Sequence, residues 1–332
     1  METFNLQFFA TMTTGTTTLS PEMRTWYEKR LIDGAEPNLV HDQFGDTYNI
    51  PKHGGKTIQF RKFADLAVPT AALTEGVTPD PQSLTVTEVK ATVGQWGAYT
   101  TIADMLEMTA IDPMLESAAS VLGAQAGKKS DHITRDILAA CTSVIFAPKS
   151  AGTAVTAAKD LDGTCLLTKD LIFKAVADLR TKNAQPFEDG MYVGIIHPQV
   201  ACDLMSVGES GGWIDINKYK NPENIYRGEV GSLGGVRFVM SSEAKCEGVP
   251  ASGTVSCFDT LILGQHAYAV TSVEGGGLEM IIKQLGSGGT SDPLNQRSTA
   301  GWKLTKTAEI LDHTKMVVIK HACKANSTMA AN

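Results

Sequence analysis

Residues 83–102, SLTVTEVKATVGQWGAYTTI, decide the fold together with the earlier run 54–63, GGKTIQFRKF. The longer run is rich in Thr and Val. In the shorter run Ile58 and Phe60 stand two residues apart, as they would on one face of a strand. The span between the two runs, residues 64–82, is rich in Pro and Thr and contains little that could pack. The sequence therefore predicts two long strands that form an extended ribbon.

The second of these runs changes its apolar phase near Thr87. Leu84 and Val86 stand on one phase, whereas Val89 and Ala91 stand on the other. Because side chains alternate between the two faces of a strand, this change predicts a bulge or a twist. A two-stranded ribbon is barely stable alone in water, so we expect this ribbon to lie on the rest of the chain or on another copy of it.

The strongest helix signal is in residues 111–143, where Asp112 is a cap residue and Pro113 stands in the first turn. Apolar or small residues recur there at helical spacing: Leu115, Ala119, Leu122, Ala126, Ile133, Ile137 and Cys141. A second ridge contains only small residues: Ala119, Gly123, Gly127 and Ser130. Glycine costs a helix about 1 kcal/mol, so we expect this ridge to permit close packing. Leu at both glycines would then block assembly without unfolding the subunit. The alternative is a weak point in the helix.

The rest of the chain predicts a mixed fold. Residues 1–19 are rich in Thr and are predicted to be an arm, and a helix is expected from Ser20 to Gly34. A helix is predicted after Thr168, a buried strand in residues 191–196, and a further helix that begins at Pro198. Strands predominate from Val255 onward. The fold class predicted from this order is α+β.

Composition excludes several classes of protein. Of the 332 residues, 29 are Lys or Arg and 36 are Asp or Glu, which gives a net charge of −7 and argues against a protein that coats nucleic acid. No run approaches the roughly 20 apolar residues of a membrane-spanning helix, and Glu2 does not suit a signal peptide. The six cysteines are scattered without C-x-x-C spacing, so we expect reduced thiols.

The stretch GESGG, residues 208–212, has the G-x-S-x-G pattern of a serine nucleophile. That chemistry needs a strand before Ser210 and a helix after it, but residues 199–207 have a helical pattern and no helix follows. The histidines lack the expected context for a partner base. We therefore interpret GESGG as a loop tip, and a serine hydrolase that uses Ser210 stays as an alternative.

Cofactor and metal motifs are also missing from the sequence. The glycine-rich run 286–292, GSGGTSD, lacks the Lys and Ser/Thr ending of a phosphate-binding loop. No H-E-x-x-H or EF-hand pattern occurs. We predict no enzyme activity, no cofactor and no metal.

The order of arm, ribbon, long helix, α/β region and late strands resembles the major capsid proteins of tailed phages, which have the Hong Kong 97 fold. Several runs are similar to the family typified by the podovirus N-four, and the resemblance extends from Leu19 to His321. These runs are residues 19–63, LTEGVTPD at 73–80, DMLEMTAID at 104–112, SLGGVRFVMSSEA at 232–244 and GTSDPLNQRSTAGWK at 289–303.

The resemblance implies a division of the chain into parts. The N-terminal arm would be residues 1–50, and the E-loop, a ribbon that extends over a neighbouring subunit, would be residues 51–103. The peripheral domain with its long spine helix would comprise 104–164 and the returning strands 271–325. The axial α/β domain would be 165–270 and contain GESGG, and residues 326–332 would be a flexible tail.

The resemblance also implies a function and partners. The chain would be a non-catalytic coat protein that self-assembles as hexamers and pentamers into an icosahedral shell, the virion capsid, after assembly in the bacterial cytoplasm. Expected partners are a separate scaffolding protein, because the arm begins near Met1, and a portal protein. Double-stranded DNA would be enclosed without specific binding, and a decoration protein is a further candidate. The alternative with the same fold is an encapsulin-like compartment. We expect subunit contacts at Phe60, Arg61, Trp96, Gly123, Gly127, Arg297 and Trp302.

Overall fold

The computed structural model describes residues 29, 31, 39–64, 66–73, 75–76, 78, 80–109, 114–150, 152–206, 229–251, 253–287 and 292–332. The GESGG loop with Ser210, the predicted arm 1–19 and almost all of the predicted helix 20–34 lie outside these residues. The chain divides into two compact units. The first comprises Met1–Gln43, Gly94–Ile133 and Ser272–Lys306, and the second comprises Phe44–Val93, Thr134–Thr271 and Thr307–Asn332.

The helices and strands follow one another in a mixed order, as the α+β prediction requires. The helices are α1 (Asp104–Thr109), α2 (Met114–Ala139), α3 (Lys169–Thr181) and α4 (Pro198–Ser206). The strands are β1 (Asp46–Ile50), β2 (Thr57–Phe63), β3 (Val86–Thr92), β4 (Gly94–Ala103), β5 (Val144–Phe146), β6 (Tyr192–Ile196), β7 (Glu229–Leu233), β8 (Val236–Met240), β9 (Cys246–Gly248), β10 (Cys257–Leu263), β11 (Tyr268–Val273), β12 (Glu279–Lys283), β13 (Arg297–Ile310) and β14 (Met316–His321).

In the first unit, β13 pairs antiparallel with strands on both sides. Its register with β4 runs from Arg297↔Ala103 to Lys306↔Gly94, and β12 pairs along its other edge. Helix α2 covers this sheet, and the two bury a common apolar core: Leu31, Ala119, Leu122, Ala126, Met280, Ala300, Trp302 and Leu304. Removing such surface from water stabilises the unit by about 25 cal/mol per Å². The predicted apolar stripe of the helix is thus confirmed as far as Ala126.

Beyond Ala126 the buried face departs from the predicted stripe, although the predicted Cys141 is buried. Asp131, Thr134, Arg135 and Leu138 are buried, whereas Ile133 and Ile137 are only partly buried. This face keeps helical spacing, but three of its four residues are polar. The spacing of apolar residues alone does not indicate such a face.

The second unit contains a sheet with the strand order β5-β14-β10-β6-β8-β7, and β9 also pairs with β10. Every residue of β10 is buried, as is every residue of β6, which confirms the strand predicted at 191–196. Helix α3 begins as predicted, because the Thr168 side chain accepts a hydrogen bond from the Leu171 backbone N–H. Helix α4 begins at Pro198, also as predicted.

The predicted second ribbon strand is in fact two strands. Strand β3 pairs with β2 without interruption from Thr57↔Thr92 to Phe63↔Val86, so the bulge expected near Thr87 is absent. The chain instead changes partner at Val93, after which β4 pairs with β13. Ala91 is buried in β3 and Ile102 in β4, which are opposite phases. The buried phase thus changes at Val93, where the strand acquires a new partner, whereas the predicted change near Thr87 falls within the uninterrupted β3.

Candidate subunit-contact surfaces

The far end of the ribbon, residues 63–86, exposes apolar side chains. Val68 is 82% and Leu73 78% exposed. Phe63, Leu66, Leu84 and Val86 are exposed as well. Exposed apolar residues that cluster in one segment mark a surface that binds another molecule. We call this segment the ribbon end.

The ribbon end is also acidic. Between Phe63 and Val86 the sequence has Asp65, Glu75 and Asp80 but no Lys or Arg. A surface with this combination suits a partner that offers both apolar area and positive charge.

The base of the ribbon contacts its own unit. The Phe60 ring packs edge-to-face on Tyr48, with 5.0 Å between ring centroids. Lys62 Nζ lies 2.5 Å from Asp312 Oδ2. Burial opposes ionisation of Asp312, but hydrogen bonds from Lys62 and Thr314 lower its pKa below the usual value. These two contacts fix the base of the ribbon to its own unit.

A cleft of about 900 Å³ opens on the sheet of the first unit. Two aromatic residues of β4 line it, Trp96 and Tyr99, and the Tyr99 side chain is 76% exposed. Lys129 Nζ lies 4.1 Å from the centroid of the Trp96 ring, which is a cation–π contact.

The charge of this cleft is mostly positive. Lys283, Arg297 and Lys303 line it, against a single acid, Asp292. Asp292 accepts a hydrogen bond from the backbone N–H of Arg297, at 2.9 Å. The cleft therefore offers aromatic area together with an excess of cations.

Three of the predicted contact residues, Trp96, Arg297 and Trp302, line this cleft. Phe60 lies at the ribbon base, and Arg61 is exposed on β2 opposite Glu88. The predicted contact residues thus lie in two locations, the cleft and the ribbon, and their spacing in the sequence does not indicate which of them share a location.

Trp302, a predicted subunit contact, is almost wholly buried within its own unit. Its side chain is 5% exposed and belongs to the core between α2 and the sheet. Its indole Nε1 donates to Gln125 Oε1 at 3.1 Å. Trp302 forms the floor of the cleft and stabilises its own unit.

The close-packing role of Gly123 is real, but its partner belongs to the same chain. A Cβ atom at Gly123 would lie 2.4 Å from the Leu31 carbonyl oxygen. Gly127 is buried as well. The expectation that Leu at Gly123 would spare the folding of the subunit is therefore wrong.

A buried polar network that the sequence did not predict fixes residues 40–42 to helix α2. Asp131 Oδ1 accepts the backbone N–H groups of Val40 and His41, and Asp131 Oδ2 lies 2.6 Å from His41 Nδ1. Burial raises the pKa of Asp131, but the bonds from His41 outweigh burial and leave that pKa below its usual value. The sequence signal for this network is Asp131, a charged residue on the buried face of α2.

Lys306 extends this network. Its ammonium donates to Asp42 Oδ2 and to the carbonyl and hydroxyl oxygens of Ser130. Burial lowers the pKa of Lys306, against the attraction of Asp42. His41 is thus bound to Asp131.

Comparison with known proteins decides the family. A family model described as phage capsid protein matches residues 100–277, more than half of the chain. The chain belongs to the phage capsid protein family. It is a structural capsid protein of the virion and not an enzyme, and it assembles with other copies into a shell. The family match does not favour the encapsulin-like alternative.

Solved capsid structures have the same fold. The capsid of Ralstonia phage GP4 is 14% identical, with a TM-score of 0.63, and the match covers 97% of this chain and 99% of that one. The capsid of cyanophage P-SCSP1u is 16% identical, with a TM-score of 0.61 and coverage of 97% and 96%. The cyanophage Pam1 capsid is 14% identical, with a TM-score of 0.63 and coverage of 97% and 100%. The fold is thus the predicted Hong Kong 97-like one.

Among curated proteins, none matches this chain. Within the part of the chain that the structure describes, no helix has both the length and the apolar character needed to cross a membrane.

Proposed function

We propose that this protein is the coat subunit of an icosahedral tailed-phage head, built as hexamers and pentamers around double-stranded DNA. The observation that carries the proposal is the ribbon end, which exposes Val68 and Leu73 while the ribbon base is fixed on its own unit. A segment with so much exposed apolar surface is stabilised by covering it.

The occupant that fits the ribbon end is the cleft of a neighbouring copy. The ribbon end has three acids and no base, whereas the cleft offers Lys283, Arg297 and Lys303 against Asp292. Trp96 and Tyr99 would supply apolar area for the leucines and valines of the ribbon. Each such contact is modest, but a closed shell repeats it many times, so the total is large.

The proposed division of labour follows the resemblance. Residues 1–50 act as the arm, 51–103 as the E-loop ribbon, and 104–164 with 271–325 as the peripheral domain. Residues 165–270 form the axial domain, and 326–332 form a flexible tail. Phe60, Arg61, Trp96 and Arg297 stay as proposed contact residues.

Proposed partners are a separate scaffolding protein, a portal protein and a decoration protein, with assembly in the bacterial cytoplasm. The packaged DNA would be enclosed without specific binding, and the net charge of −7 supports this. A strongly basic subunit would hold phosphates tightly and hinder packing and ejection.

A charge exchange tests the docking. Glu75→Lys with Asp80→Lys in the ribbon end should abolish closed shells, because like charges would then meet in the cleft. Adding Lys283→Glu and Lys303→Glu to the same chain should restore shells, as seen by negative-stain electron microscopy. Both cleft lysines are exposed, so folding is expected to be unaffected. Normal shells from the ribbon variant, or no recovery in the fourfold variant, would contradict this contact.

A further inference from the structure

Three neighbouring strands of the second unit bring together a lysine and two carboxylates. Strand β10 lies between β14 and β9, and its Asp259 is the direct cross-strand partner of Lys320 on β14. Lys320 Nζ is 3.2 Å from each oxygen of Asp259 and also contacts Glu247 Oε1 on β9. The Asp259 side chain is 0% exposed and that of Lys320 11%. We call these three residues the Lys320 cluster.

The cluster differs from several other ion pairs of this unit, and also from Lys62–Asp312, in which the acid is largely buried but the Lys62 side chain is 47% exposed. In the pairs Lys182–Asp178 and Lys245–Asp136 the acid is at least a third exposed. In the Lys320 cluster the acid and the amine are held together in an environment from which water is largely excluded. A buried ion pair in such a place is costly, because both charges lose hydration.

The chemical state of Asp259 suits attack by an amine. Burial raises the pKa of Asp259 to about 7, with Glu247 adding to the effect and Lys320 opposing it. The neutral acid form of Asp259, whose carbonyl carbon is electrophilic, is therefore accessible near neutral pH. The thiol of Cys257 does not compete, since burial raises its pKa and keeps it protonated.

We propose that Lys320 and Asp259 condense to an amide bond within the chain, with Glu247 as the proton acceptor. Glu247 removes one proton from the Lys320 ammonium, and the free amine attacks Cγ of the neutral Asp259 acid. The C–N bond forms and a C–O bond breaks. Glu247 passes the first proton to the hydroxyl group, which leaves as water, and then accepts the second amine proton. Glu247, which is partly exposed, finally releases this second proton to solvent.

The position of Glu247 is what makes this step feasible. Asp259 and Glu247 raise the pKa of Lys320 although burial acts in the opposite direction, so the amine is charged until a base accepts its proton. Glu247 is in direct contact with Nζ. Holding amine and acid at contact distance gives a high effective concentration, which drives the condensation without an activating cofactor.

The product would be a covalent link between adjacent strands, across a loop of the chain that runs from residue 259 to residue 320. Such a link restricts the unfolded chain as a disulfide does and needs no oxidising compartment. This inference concerns the isolated subunit and is independent of how copies dock.

Mass spectrometry tests the proposal on the full-length protein, both as free subunit and from assembled particles. The intact mass is expected to be lower than the sequence mass by one water molecule. After trypsin, residues 246–283 should appear joined to residues 316–324 through an uncleaved Lys320. Cleavage after Lys182 and Lys245, whose partners are exposed, should be normal and serves as an internal control.

Variants separate the roles of the three residues. Lys320→Met and Asp259→Ser should each restore the full sequence mass, and Glu247→Gln should slow bond formation at least tenfold in freshly refolded protein. An unmodified intact mass in folded wild-type protein would overturn the proposal, as would a water loss that maps to another site. Bond formation at the wild-type rate in Glu247→Gln would remove Glu247 from the mechanism.

Discussion

At the scale of single residues, several groups have roles that the sequence could suggest but not assign. Gly123 was identified as a close-packing position, but its partner, the Leu31 carbonyl, comes from a segment 92 positions earlier in the chain. Asp131 lies on the buried face of α2, where its function becomes clear only once His41 is placed beside it. Long-range contacts of this kind depend on the fold as a whole, so spacing along the sequence does not reveal them.

Gly123→Ala should destabilise the free subunit. A Cβ atom would be 2.4 Å from a backbone oxygen, and backbone cannot move aside as a flexible side chain can. We expect a loss of about 1–3 kcal/mol, typical of overpacking, measured as a lower urea midpoint. Gly163→Ala is the matched control, because a Cβ there meets nothing within 4 Å. Equal midpoints for the two variants would refute the close contact.

His321 should make the stability of the subunit depend on pH. Burial lowers its pKa from 6.5 to about 4, and Nδ1 donates to the Ala322 carbonyl while Nε2 accepts from the Thr260 hydroxyl. The unfolded chain therefore binds a proton at higher pH than the folded one. This contribution is complete above pH 6.5 and is lost as pH falls toward 4, by about 3 kcal/mol.

The measurement is the urea-derived free energy of unfolding between pH 7 and pH 4, for the wild type and His321→Gln. The variant should lose less stability over this interval. Parallel curves for the two proteins would show that His321 does not carry the effect.

At the scale of elements, the sequence predicted a helix or strand correctly where the residues that determine it lie within that element. The Thr168 cap, the buried strand β6 and the Pro198 start of α4 follow from residues within a few positions of each other. The ribbon was predicted less well, since β3 and β4 form one continuous run of strand-forming residues and separate only because they pair with different strands. Which strand each segment pairs with depends on the whole sheet, so residues 83–102 alone could not predict the break at Val93.

Deletion of the central part of the ribbon end, Ala67 to Pro81, should prevent assembly without affecting the folding of the subunit. The ladder between β2 and β3 and the Lys62–Asp312 pair lie outside the deleted residues. We expect a soluble subunit with an unchanged urea midpoint that forms no closed shells, as judged by light scattering. Intact particles from this variant would mean that the ribbon end does not join subunits.

At the scale of the whole molecule, unusual runs along nearly the whole chain carry the resemblance to tailed-phage capsid proteins. The family match over residues 100–277 confirms a phage capsid protein, and the narrower N-four type stays a prediction. The fold is kept in structures only 14–16% identical to this chain. The absence of catalytic motifs in the sequence agrees with a structural protein. What the sequence could not supply is the surface on which one copy meets the next. In the proposed contact, that surface combines the ribbon end of one copy with the cleft of another, and the cleft itself is lined by β4 and by strands about 200 positions later in the chain.

The central claim is that this chain builds a shell. The most direct test is negative-stain electron microscopy, with light scattering, of the full-length protein expressed alone and together with its neighbouring genes. The account predicts closed shells, or sheets and tubes of uniform thickness, in at least the second preparation. A stable monomer or small oligomer in both preparations would contradict it.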